Sequence, residues 1–167
     1  MIRRSFEDEN CSIARAMDML GDGWSLLILR EAFIGSRRFA DFEAHLDISK
    51  NVLTQRLQRL VDHGLLERRD AGHHGQRFEY HLTAMGKDLS TMLTALRQWG
   101  DRWIFGPERA PVLVVDRRTG EPVANVRIHA SDGAEIRGRD LAMVPGPGAS
   151  EETKARFRKA RQKEVED

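Results

Sequence analysis

Apolar residues first recur at Ile13, Ala16, Met17 and Leu20, a spacing of i, i+3, i+4 and i+7 that predicts an amphipathic helix opening at Ser12. Gly21-Asp22-Gly23 breaks it. Trp24 to Phe33 is apolar on most sides, as expected of a second helix buried among others, and Gly35 ends it. Phe39, Phe42 and Leu46 mark one face of a short third helix. After Asp47-Ile48, Ser49 is an N-cap for a fourth helix reaching His63, and Gly64 stands where helices favour a left-handed terminal residue. From Leu65 the period falls to two. Leu65 to Asp70 and Arg77 to Leu82, joined by a Gly72-to-Gly75 turn, read as a β-hairpin with Phe78, Tyr80 and Leu82 on one face. Thr83 caps a fifth helix whose seam of Leu89, Met92, Leu93, Leu96, Trp99 and Trp103 requires a partner.

Beyond Gly106-Pro107 the pattern changes again. Pro111 to Val115, a turn at Thr119-Gly120, alternating Val126, Ile128 and Ala130, and an Asp132-Gly133 turn predict a small β-rich extension, punctuated at its end by Pro145 to Gly148. Residues 150–167 carry six basic and five acidic side chains with almost nothing apolar, as in a solvated helix or a disordered tail. The expected organisation is therefore a domain over 1–105, an extension over 106–149 and a charged tail over 150–167. Its fold class is mainly α (α+β): three helices, a fourth with a polar outer face, then a basic hairpin give the order of a winged helix-turn-helix, with a small C-terminal β-appendage.

Composition narrows the class without naming a partner. With 40% apolar and 32% charged residues the chain reads as soluble and globular. Its longest apolar stretch, Trp24 to Ile34, is interrupted by Arg30 and Glu31 and is too short to span a bilayer. No secretory signal is visible, so a cytoplasmic location is expected. Cys11 is the one cysteine, which excludes an intramolecular disulfide framework and a Cys-based zinc site. Twenty-seven basic against 26 acidic residues give a net charge of +1, so any nucleic-acid site must be local; residues 37–77 hold eight and six.

The fourth helix supplies the chemistry. Leu53, Leu57, Leu60 and Val61 face inward and leave Asn51, Thr54, Gln55, Gln58 and Arg59 outward. Amides at Asn and Gln can pair bidentately with adenine, arginine can pair with guanine, and a helix start bearing Ser49 and Lys50 favours phosphate. Arg37, Arg38 and Lys50 would then neutralise phosphates, and Arg69 or Arg77 would reach the adjacent backbone or minor groove. For Arg37 and Arg38 the plainer alternative is a solvated turn. For Arg69 and Arg77 it is a cross-strand charge ladder with Glu67 and Glu79. His73 and His74 on a turn without a third ligand are read as solvent-facing, so no metal is expected.

Four stretches carry a resemblance: Cys11 to Arg30, Gly35 to Phe42, Ile48 to Leu57 and Gly64 to Arg68. They resemble the HxlR-type winged helix-turn-helix transcriptional regulators in the order and spacing of the cysteine before the first helix, the tryptophan opening the second, and Arg-Arg-Phe before the third. The resemblance covers about residues 6–105 and implies a homodimer on an inverted-repeat operator, with the domain's terminal helices as the interface. Ile13, Met17, Leu89, Leu93, Leu96, Trp99 and Trp103 are the interface candidates. Asp22-Gly23 stands where many members place a lysine, and the wing tip His73 to Gln76 lacks a frequent proline. Relatives with a cysteine at this place include redox sensors, so Cys11 is a candidate sensor, although Glu7, Asp8 and Glu9 oppose thiolate formation. An inert residue at the helix start is the alternative. Partner expectations are double-stranded DNA, a second copy of the chain and a small-molecule effector, with no membrane and no cofactor. No catalytic motif is present, so no enzymatic role is expected. The competing reading is a protein-interaction or small-ligand-binding module whose main role lies in the β-appendage.

Overall fold

The computed structural model describes residues 5–72, 78–106 and 108–166. They fall into two compact units, Met17–Val126 and a second made by the residues up to Ala16 with those from Arg127 onward.

In the first unit, Asp22 caps α2 (Gly23–Ile34) by accepting from the Ser25 amide at 3.2 Å, and Gly35 closes it at φ 132°. The turn between α3 (Phe39–Leu46) and α4 (Lys50–Asp62) is short because Asp47 takes a left-handed conformation at φ 47° and Ser49 immediately caps α4. Buried Ile28, Leu29 and Ala32 of α2 meet Phe42 and Leu46 of α3 and Leu53, Leu57 and Leu60 of α4 in one core. Strands β1 (Leu66–Asp70) and β2 (Phe78–Leu82) pair antiparallel, Leu66 opposite Leu82 and Asp70 opposite Phe78, and cover the core with those two leucines. The Tyr80 ring stands edge-on to Phe42 at 6.2 Å, fixing the hairpin against α3. The mainly helical winged helix-turn-helix fold is thus present.

Three expectations change. Helix α2 is not enclosed on all sides, since Trp24, Leu27 and Ile34 are exposed. The fifth helix is divided into α5 (Ala84–Asp88), capped by Thr83 as expected, and α6 (Ser90–Gly100), which ends in a π-helical turn, Asp101–Phe105. Its apolar seam divides as well. Leu89 and Leu93 pack partly against the core, whereas Met92, Leu96, Trp99 and Trp103 are 36%, 49%, 57% and 70% exposed. The seam spans more than one side of the helix, so only part of it is free.

The stretch expected as an extension over 106–149 runs through both units. Up to Val126 it belongs to the first unit: the Gln98 amide nitrogen of α6 donates to the Ala124 carbonyl at 3.1 Å, and its oxygen accepts from the Val126 amide at 2.7 Å. Val115 and Pro122 form a single β-bridge around the Thr119-Gly120 turn. From Arg127 the chain enters the second unit, where β3 (Ile128–His129) and β4 (Glu135–Ile136) make a two-residue ladder. The tail is helical: α7 (Glu151–Glu166) follows Ser150, whose hydroxyl accepts from the Thr153 amide at 3.1 Å. In the same unit the Asn10 side chain donates to the Gly148 carbonyl and accepts from the Ser150 amide and the Thr153 hydroxyl, at 3.1, 2.9 and 2.8 Å. Helix α1 (Ser12–Leu20) leaves Ile13 and Met17 exposed and buries Leu20.

Candidate nucleic-acid interface

Because Leu53, Leu57 and Leu60 are fully buried, the other side of α4 is held toward solvent with Asn51, Thr54, Gln55 and Gln58 exposed on it. These four differ in what they have left to offer. The Thr54 hydroxyl donates to the Lys50 carbonyl at 2.7 Å, and the Gln58 amide donates to Asp62 at 2.7 Å. Asn51 and Gln55 make no side-chain hydrogen bond among the described residues, so both amides retain their donors and acceptors. At the helix start, Ser49 accepts from the Val52 amide at 3.4 Å, and Lys50 stands 77% exposed with its ammonium 3.8 Å from Glu43.

Two of the expected contact residues, Arg37 and Arg59, are half-buried. Arg59 turns toward α1, where its guanidinium donates to the Asp18 carbonyl and lies 3.6 Å from the Asp18 carboxylate. Its Nε is buried without a partner among the described residues. Position 59 sits one step off the polar face, close enough to the core edge for the side chain to be drawn inward. Arg37 turns back on α2, donating to the Ala32 and Ser36 carbonyls at 2.6 and 2.8 Å. The Ala32 carbonyl is one left open at the end of that helix, the need that makes cations favourable there. In this structure both guanidinium groups are engaged within the protein.

Arg38 remains exposed, with its Nε 3.4 Å from Glu79 across a β-bridge. Asp41 supports the same turn, accepting from the Arg38 and Arg37 amides at 2.9 and 3.3 Å. Those two backbone donors, Arg38 first, hold its carboxyl below the ordinary aspartate value. On the wing, Arg69 bonds Glu67 two residues away on its own strand and is exposed. Register places it opposite Glu79, but its partner is the intrastrand carboxylate. Arg77, His73, His74 and Gln76 lie outside the described residues.

Sequence reasoning passed over two arginines. Arg68 lies 4.2 Å over the Phe78 ring with its charge exposed, a stacking legible in the register because residues 68 and 78 share the Leu66 face of the hairpin. Arg56 binds Asp22 at 2.6 Å, tying α4 to the cap of α2. Asp22 therefore has a structural use where the resemblance leads one to expect lysine. The Cys11 thiol is exposed, and its carbonyl accepts from the Arg15 amide at 3.0 Å as α1 begins. No helix among the described residues is long and apolar enough to cross a membrane.

Comparison with known proteins agrees with this geometry. Residues 19–107 match the HxlR-like helix-turn-helix family model. An uncharacterised HTH-type transcriptional regulator of Mycobacterium tuberculosis, Rv3095, is 40% identical over 143 residues, covering 86% of this chain and 89% of its own. That length necessarily reaches past residue 107, so part of the extension is shared. Among solved structures, PA1607, a candidate transcription factor, superposes with a TM-score of 0.77 at 38% identity over 84% of this chain and 99% of its own. PA1374 of Pseudomonas aeruginosa, also a candidate transcription factor, gives 0.62 at 39% identity over 87% and 99%. The chain thus belongs to the HxlR-like helix-turn-helix family, as a transcriptional regulator whose winged helix-turn-helix is its DNA-binding domain.

Proposed function

We propose that this regulator binds an inverted-repeat operator as a homodimer in the cytoplasm, with α4 in the major groove and Asn51 and Gln55 reading base edges. The observation that carries this reading is the pair of uncommitted amides on a helix whose opposite side is fixed in the core. Ser49, Lys50 and Arg38 supply phosphate contacts that set register, Thr54 adds its methyl and hydroxyl to the same face, and Arg68 and Arg69 extend the contact along the wing. The uncovered side of α6, Met92, Leu96, Trp99 and Trp103, supports pairing with a second copy, and Ile13 and Met17 of α1 are further exposed apolar positions for that purpose. The exposed Cys11 thiol leaves redox control open to the same protein; an oxidant that alters wild-type affinity should then leave Cys11→Ser unaffected.

Selection of bound fragments from a genomic library with the purified chain tests the reading. A recurrent palindrome with half-sites about one helical turn apart, ~10 base pairs or a multiple, is the expected result. Binding without any recurrent sequence would overturn it.

A further inference from the structure

The sequence from Thr153 to Lys163 holds six cations, Lys154, Arg156, Arg158, Lys159, Arg161 and Lys163, and no carboxylate. A helix meant only for solvent ordinarily interleaves charges of both signs, because like charges three or four residues apart repel. Here the segment is nevertheless helical, and its order has identifiable sources. Ser150 caps it, Glu151 and Glu152 lie in the first turn, Asn10 bonds Ser150 and Thr153, and Phe157 is half-buried. Lys154 pairs with Glu151 at 2.7 Å. Arg156, Arg158, Lys159 and Arg161 are exposed and form no ion pair among the described residues.

At 100° per residue, Lys159 lies about 160° from Phe157, Arg158 and Arg156 about 100° to either side of it and Arg161 about 40° from it, so the four cations span a broad basic arc of about 220°. We infer that α7 is a second DNA-contacting surface, which binds the phosphate backbone without reading sequence. Phosphodiester charges suit such an arc because several guanidinium and ammonium groups can each displace a condensed counterion. Arginine also presents paired donors to phosphate oxygens. This inference rests on the proposed DNA-binding function but adds a surface outside the helix-turn-helix.

The test is a full-length chain carrying Arg156→Gln, Arg158→Gln, Lys159→Gln and Arg161→Gln, substitutions that keep helix-forming side chains of similar reach. Affinity for a random-sequence 40-base-pair duplex is measured across a potassium chloride series. The salt slope of the variant should be shallower than wild type by about two to four units. A control with the three arginines replaced by lysine should keep the wild-type slope. Identical slopes in wild type and the glutamine variant would overturn the inference while leaving operator recognition by α4 intact, and failure of wild type to bind any duplex would overturn both. Substitution-sensitive binding to phosphatidylglycerol vesicles, with an unchanged duplex slope, would assign the arc to a membrane surface and likewise refute it.

Discussion

At the scale of single residues, the structure separates polar side chains that are free from those already spoken for. Gln55 is free, so Gln55→Ala should weaken specific operator binding by about 1–3 kcal/mol and relax one base position, as read by titration against single-base operator variants. Equal weakening on every sequence would make Gln55 a phosphate contact. Arg59 and Arg37 show what a linear pattern leaves out. Their positions mark them as surface cations, but the Asp18 carbonyl that captures one lies 41 residues away, and the end of α2 captures the other. Gly86 teaches the same lesson for backbone. A Cβ there would stand 2.1 Å from the Leu65 carbonyl oxygen, a neighbour that cannot rotate away. Gly86→Ala should therefore destabilise the fold by about 3 kcal/mol, measurable by urea unfolding.

At the scale of elements, boundaries were legible at Ser49, Gly64 and Thr83, whereas the Asp22 cap of α2 and the Ser150 cap of α7 went unread. Ser49 and Gly64 delimit α4, and Thr83 starts α5, because a hydroxyl acceptor and a left-handed glycine are local requirements satisfied by local residues. The division between α5 and α6 was not legible: Leu89 departs from helical geometry only in ψ, −8°, and carries no breaker residue. The turn leading into α3 offers a pH test. Arg38 and Arg37 amides lower the Asp41 carboxyl, so its contribution is complete above the unfolded value near 3.9 and is lost as pH falls through the lower folded value. Asp41→Asn should lose about 0.5–1 kcal/mol at neutral pH. Between pH 4 and 2 its stability should also fall less steeply than that of wild type; parallel acid-unfolding profiles would remove Asp41 from that role.

For the whole molecule, the exposed apolar side of α6 carries the proposed pairing with a second copy. Trp99→Glu should convert the proposed dimer to monomer or to insoluble protein in sedimentation analysis, whereas a soluble dimer with unaltered DNA binding would place the interface elsewhere. Composition indicated a globular chain, and periodicity indicated its helices and hairpin, but the allocation of 127–166 to the unit containing Asn10 has no sequence signature. That allocation depends on contacts between residues about 140 positions apart. It also sets an order of biosynthesis. Asn10 is translated well before its partners Gly148, Ser150 and Thr153, which follow it by 138, 140 and 143 residues. At about 5–20 residues per second Asn10 waits on the order of ten seconds or more for them, during which the helix-turn-helix can already assemble. A nascent chain stalled before residue 148 would therefore carry a formed helix-turn-helix while Asn10 still lacked all three of these partners, and translation through Thr153 becomes the event that supplies them.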